Sequence, residues 1–334
     1  MQTVTLVPGD GIGPEIVEAT RRVVEASGAQ ITWEVINAGV AVAEQEGTPI
    51  PARLIENIRD HGVALKGPVT TPVAQGFGSV NVALRRQLDL YACVRPARSL
   101  PVVKSRYRDI DLIVIRENTE GLYSGLEHEV APGVVESLKI VTEAACRRVS
   151  RFAFEYARSQ GRRHITAVHK ANIMKQTDGL FLRVARQVAA AWPEIEYDER
   201  IIDATSMHLV LNPHQFDILL MGNLYGDILS DLVAGLVGGL GVTPSANLGD
   251  HCAVFEACHG SAPDIAGKGI ANPTALILAA AWMLEHIGQQ AAGTRIRRAV
   301  EAVLADGRCV TGDLGGTANT TEMTEAIVTA LPAA

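Results

Sequence analysis

Short apolar runs alternate with amphipathic stretches along most of this chain, and that alternation is the tightest constraint on its fold. Strands buried on both faces read as brief apolar runs, whereas helices repeat their apolar positions every three or four residues. Residues 2–8 read as a strand, 9–14 as a tight turn, and the helix that follows runs to about Ser27. A second strand is expected at 31–37, a helix at 51–61 and a short strand at Val63–Lys66. Further on come strands at Asp111–Glu117 and 165–169, with a long amphipathic helix over 142–160 between them. The apolar run 217–221 feeds a helix from Asn223, and 273–287, 294–306 and 321–331 close the chain in helix. Strands and helices in this order predict an α/β protein.

The first turn tempts a more specific reading. Gly9, Gly11 and Gly13 give G-x-G-x-G followed by Pro14, which departs from the dinucleotide-binding G-x-G-x-x-G. Glycines suit a sharp strand-to-helix corner, and proline suits a first helical turn. The loop is read as a structural corner as readily as a cofactor contact, and a Rossmann fold is not assigned on it.

A length of 334 residues suggests about two domains. The net charge of −7 argues against nucleic acid or an anionic membrane as partner. Arginines nonetheless crowd one stretch (85, 86, 95, 98, 106, 108 and 116), which points to a small polyanionic substrate. The five cysteines show no C-x-x-C spacing, which fits reduced thiols in a cytoplasmic setting. No basic, apolar leader opens the sequence and no apolar run reaches membrane-spanning length, so a cytoplasmic location is expected.

Asp227 and Asp231, four apart in Asn223-Leu224-Tyr225-Gly226-Asp227-Ile228-Leu229-Ser230-Asp231-Leu232, carry the first chemical signal. On a helix they share one face, with Ile228, Leu229 and Leu232 supplying the apolar side. Two carboxylates on a rigid face suit Mg²⁺ or Mn²⁺ better than zinc. Alone, the pair reads more readily as a solvated helix edge, since acids four apart are common on helices. Three more segments stand beside it. One runs from Ser79 through Asn81 and Arg85 to Asp89-Leu90-Tyr91-Ala92-Cys93-Val94-Arg95-Pro96. The others are Ile115-Arg116-Glu117-Asn118-Thr119-Glu120-Gly121-Leu122-Tyr123 and the run from His259-Gly260-Ser261-Ala262-Pro263-Asp264-Ile265 to Asn272-Pro273.

Together these segments resemble the isocitrate/isopropylmalate dehydrogenase family of decarboxylating β-hydroxyacid dehydrogenases, with NAD-dependent isocitrate dehydrogenases the nearest likeness. The resemblance extends from the loop at Pro8 to Asp313-Leu314-Gly315-Gly316, with the motifs in family order. It implies a two-domain α/β sandwich that is not a Rossmann fold. The large domain would comprise 1–95 and 240–334, and the small one 96–239, with the active cleft between them.

Site roles follow from the resemblance residue by residue. Arg85, Arg95 and Arg116 would grip substrate carboxylates, for which planar guanidinium forks are matched. Ser79 and Asn81 would meet a distal carboxylate. Facing the isopropyl group of isopropylmalate, each would be left unpaired at a cost of about 1–3 kcal/mol. Asp227, Asp231 and an Asp203 contributed by a second protomer would hold Mg²⁺ or Mn²⁺; taken alone, Asp203 reads as a helix cap after a strand. Lys170, also lent across the dimer, would help remove the hydroxyl proton, and Tyr123 would protonate the enol carbon. Thr71, His259, Gly260, Asp264, Ile265 and Asn272 would contact NAD, with Asp264 repelling the 2′-phosphate of NADP.

The implied activity is NAD-dependent oxidative decarboxylation of isocitrate to 2-oxoglutarate and CO₂ by a homodimer or higher homo-oligomer acting on a tricarboxylate. Homoisocitrate or 3-isopropylmalate dehydrogenase is the alternative within enzymology. A non-catalytic regulatory subunit of a hetero-oligomeric isocitrate dehydrogenase is the alternative from another class.

Overall fold

The computed structural model describes residues 1–71, 78–101 and 103–332. Its strands are β1 (Gln2–Val7), β2 (Ile31–Val35), β3 (Val63–Lys66), β4 (Ala92–Arg98), β5 (Asp111–Glu117), β6 (Glu127–Ala131), β7 (Val134–Ser137), β8 (His164–His169), β9 (Glu196–Ile201), β10 (Ile218–Met221), β11 (Pro244–Leu248) and β12 (Ala253–Ala257). The helices are α1 (Gly13–Ala26), α2 (Val40–Glu46), α3 (Ala52–His61), α4 (Val80–Gln87), α5 (Glu143–Ser159), α6 (Thr177–Ala189), α7 (Ile202–Leu211), α8 (Asn223–Leu236), α9 (Thr274–His286), α10 (Gln290–Asp306) and α11 (Thr320–Thr329). Ten strands form one sheet in the order β2-β1-β3-β12-β11-β4-β5-β10-β8-β9. Two parallel wings, β2-β1-β3-β12 and β5-β10-β8-β9, meet through antiparallel pairings around β11 and β4.

Each wing is covered on both faces, as parallel strands require. One face of the first wing packs under a core that includes Ile16, Phe255, Ile277 and Ile296, and the other under one that includes Leu54, Ile58 and Leu84. The second wing lies between a cluster built around Val149, Phe154 and Leu182 and another around Leu209, Leu229 and Val233. Every strand and helix expected above is present within a few residues. Expectation passed over α2, α4, α6, α7, β4, β9, β11, β12 and the separate β6–β7 hairpin, whose sequences carry arginine, asparagine or glutamate inside otherwise strand-like runs or lack a clean period.

The glycine corner has a structural cause. Gly9 and Gly11 take φ of 76° and 58°, and an added Cβ would lie 2.1 Å from the Pro68 carbonyl oxygen or 1.9 Å from that of Ser261. The loop is pinned there by hydrogen bonds from Asp10 N to Pro68 O (2.7 Å) and from Ile12 N to Ser261 O (2.9 Å). The Asp10 carboxylate in turn accepts the backbone N–H groups of Val40 and Thr70. Close backbone approach, for which only glycine has room, explains this motif.

Candidate active site

Because side chains alternate across a strand, Cys93, Arg95 and Ala97 on β4 face away from Pro96 and Arg98. Cys93 pairs in register with Arg116 on β5, so Arg95 and Arg116 emerge on the same sheet face. Both are buried, as is Arg85 on α4. Asp227 and Asp231 project toward them from α8. The Arg116 guanidinium donates to Asp227 and through Nε and Nη2 to Asn223 Oδ1, at 2.9 and 2.7 Å. Arg95 Nη1 donates to Ser230 Oγ and Asp231 Oδ1, at 2.5 and 3.2 Å. Tyr123 donates its hydroxyl to the other Asp227 oxygen, and its ring lies 5.0 Å beneath the Arg116 guanidinium.

A second ionic cluster adjoins the first. Lys66 and Glu256 face one another in register on β3 and β12 and pair at 2.7 Å, while Arg85 reaches Glu256 at 3.7 Å. Asn247 on β11 donates to Glu256 at 2.6 Å. Burial opposes charge on Glu256, but Lys66 and Arg85 outweigh it and hold the carboxyl down at about 2. At Asp227 burial is likewise overcome, by Arg116, the Tyr123 hydroxyl and Arg95, and its carboxyl sits below the usual range. Asp231 is shifted upward, by burial against the pull of Arg95. Burial and then Asp227 push the Tyr123 phenol up, so it stays protonated.

Among the described residues, Nε of Arg85, Nε of Arg95 and Oδ1 of Asn81 are buried without a hydrogen-bond partner. The two guanidinium Nε–H donors are costly to bury unless an acceptor meets them and so suit a carboxylate-bearing anion, whereas Asn81 Oδ1 is an acceptor. Ser79 is the N-cap of α4, accepting the Val82 N–H at 3.4 Å and the Thr71 hydroxyl at 3.4 Å. Its hydroxyl therefore serves to cap the helix.

Lys170, just past β8, donates to Asp203 in the first turn of α7. Hydrogen bonding to Lys170 lowers the Asp203 carboxyl, which is exposed. Among the described residues no three His, Cys, Asp or Glu side chains of one chain gather in a metal-holding group. Asp227 and Asp231 offer carboxylate oxygens from one helix, the donor type that a hard divalent cation takes.

His259, Gly260, Ile265 and Asn272 line a groove of about 710 Å³ together with Ile12, Gly241, Ala262 and Asp313. Burial lowers the His259 pKa, so the ring is neutral near pH 7. Asn272 is braced by the protein, donating to Asp313 Oδ2 at 2.9 Å and accepting the Thr274 N–H. Asp264 and Thr71 are both exposed, and neither is part of the groove's lining. A cleft of similar size, about 720 Å³, opens on the opposite sheet face between α5 and α9, and none of the expected site residues line it. Glu256, Lys66, Asn223, Asn247 and Ser230 escape a reading of the sequence; only proximity in space reveals them.

The isocitrate/isopropylmalate dehydrogenase family model matches residues 3–327, and the chain belongs to that family of enzymes. A solved isocitrate dehydrogenase from Methylococcus capsulatus is 52% identical, covers 99% of both chains and superposes with a TM-score of 0.97. Among curated relatives, catalytic subunit 5 of the Arabidopsis thaliana NAD isocitrate dehydrogenase is 54% identical over 97% of this chain and 87% of its own length. A regulatory component of the Dictyostelium discoideum NAD isocitrate dehydrogenase is 49% identical over 98% and 91%. Both of these relatives are named mitochondrial, which overturns the expectation of a cytoplasmic location. The five free cysteines show why it failed: reduced thiols fit any reducing compartment and do not single out the cytoplasm.

Proposed function

We propose that the chain catalyses NAD-dependent oxidative decarboxylation of isocitrate to 2-oxoglutarate and CO₂. The observation that carries this is the set of three buried arginines, two with unmatched Nε donors, beside the Asp227/Asp231 face. Similarity of about half the residues to NAD isocitrate dehydrogenases supports it. Against the regulatory reading, the chain keeps Arg85, Arg95, Arg116, Tyr123, Lys170, Asp203, Asp227 and Asp231, the residues that the catalytic reading needs.

Arg85, Arg95 and Arg116 bind the substrate carboxylates, and Ser79 with Asn81 meets the distal one. Lys170 and Asp203, lent by a second copy, take the hydroxyl proton. Asp227 and Asp231, with Asp203 of a second copy, would hold Mg²⁺ or Mn²⁺, which when bound would supply stabilisation of negative charge on oxygen, and bound NAD would supply the hydride acceptor. After CO₂ leaves, Tyr123 delivers its proton to carbon. Asp264 favours NAD over NADP by repelling a 2′-phosphate.

The proposed division into 1–95 with 240–334 and 96–239 follows the two wings of the sheet, with β4 as the crossing strand. Assembly as a homodimer or larger homo-oligomer accounts for exposed Met207, Leu211 and Ile228 and for the apolar residues of the hairpin. Comparing kcat/KM for isocitrate, homoisocitrate and 3-isopropylmalate with NAD and Mg²⁺ tests the reading. Isocitrate should be preferred. Preference for another acid would overturn the account of Ser79 and Asn81, and activity with none would favour the regulatory role.

A further inference from the structure

We infer that Asp178 is a positioning residue that sets Lys170 in place for proton transfer; this rests on the role proposed above for Lys170. Asp178 stands in the first turn of α6 and is only 4% exposed. Its Oδ2 accepts the backbone N–H of Lys170 at 2.7 Å and the Tyr225 hydroxyl at 3.1 Å. Its Oδ1 takes the ammonium of Lys139, which also lies 4.9 Å over the Tyr225 ring. One carboxylate thus joins the end of β8, the helix α8 and the segment that leads from the hairpin to α5.

The geometry around it is closed. The Lys170 carbonyl accepts the N–H groups of Ile173 and Met174, at 3.0 and 2.9 Å, and the Asp178 N–H returns to the Met174 carbonyl at 3.1 Å. Residues 170–178 form a loop whose two ends are clamped by the same side chain. Buried ion pairs add little net stability, because desolvation offsets their attraction. What the Asp178 pairings fix is position. Tyr225 precedes Asp227 by two residues on α8, so the carboxylate also aligns Lys170 with the acidic helix. In an oligomer with shared sites, Asp178 would therefore register the lysine that a protomer lends with the carboxylates that it keeps.

Asp178→Ala and Asp178→Asn in the full homo-oligomer test this. Misplacing a proton-transfer group should lower kcat roughly 10- to 100-fold in the alanine variant. The KM values for isocitrate and NAD should stay within about threefold, since substrate binding is not its task. The pH profile of kcat should shift, and asparagine, which keeps an acceptor for the Lys170 N–H, should recover part of the loss. A second readout needs no turnover: the rate at which an amine-acylating reagent labels Lys170, read by mass spectrometry with exposed Lys268, outside the loop, as internal control. That rate should change several-fold in the alanine variant and less in the asparagine variant. If the alanine variant does not fold, the asparagine variant decides by the same two readouts. An unchanged pH profile together with unchanged Lys170 labelling in a folded variant overturns the proposal. If the wild-type protein fails to oxidise isocitrate, the functional reading falls, and the labelling experiment still judges whether Asp178 positions Lys170.

Discussion

Tyr123 and Glu256 each show how a single group is tuned by its neighbours. The Tyr123 phenol, pushed up by burial and Asp227, keeps its proton near neutral pH and can give it to carbon. Tyr123→Phe should preserve a rapid first-turnover burst of NADH while slowing steady-state 2-oxoglutarate formation about 10²- to 10⁴-fold. Stopped-flow absorbance with product assay checks this, and unchanged turnover would remove Tyr123 from the mechanism. Glu256 is depressed to about 2, so its contribution to stability is present above the ordinary glutamate range and is lost as pH falls toward the folded value. Glu256→Gln leaves Lys66 and Arg85 buried without their counter-ion and should cost about 3–5 kcal/mol at pH 7. Urea denaturation at a series of pH values should show the gap between variant and wild type narrowing below about pH 4.

Among the elements, α8 does the most to organise the site. It presents Asp227 and Asp231 on one face, as their spacing requires, and it approaches β5 so closely that Gly226 has no room for a side chain. An added Cβ there would lie 2.5 Å from both Cβ and Cγ of Arg116. Gly226→Ala should gain about 1 kcal/mol of helix propensity and lose about 1–3 kcal/mol to overpacking. Net stability should fall only modestly, by calorimetry, while the KM for isocitrate rises because Arg116 is displaced. Ile228 departs from the pattern expected of an apolar inner side: it is 58% exposed, whereas Leu229 is fully buried. A helix that meets both its own core and a second protomer carries apolar residues on more than one face, and periodicity within one chain cannot separate the two.

At the scale of the whole molecule, the β6–β7 hairpin stands apart from the main sheet, exposed on both faces. A two-stranded ribbon is at best marginally stable in water, and this one displays Val130, Val134 and Val135, flanked by Leu126 and Leu138. Val135→Asp combined with Leu138→Asp should shift the protein toward monomer in sedimentation equilibrium and lower its activity. Mixing inactive Lys170→Ala and Tyr123→Phe proteins should restore activity after protomers exchange, since one site of each hybrid would then be complete. No recovery despite demonstrated exchange would mean that sites are not shared.

The sequence by itself determined the local elements with clean periods and, through its motifs, the family. Asp227 and Asp231 share a face because a helix turns every 3.6 residues, and the crowding of arginines between 85 and 116 pointed to an anion before any contact was known. It also exposed the glycine loop as an irregular fingerprint, though not the carbonyls of Pro68 and Ser261 that demand it. Only the tertiary structure decided that β4, β11 and β12 form the centre of one sheet, since strands carrying arginine, asparagine and glutamate do not announce burial. It alone brought Lys66 against Glu256 and Asp178 against Lys170 and Tyr225. Lys66 and Glu256, like Asp178 and Tyr225, lie far apart in the chain, and whether a buried charge is tolerated depends on which opposite charge the packing places beside it.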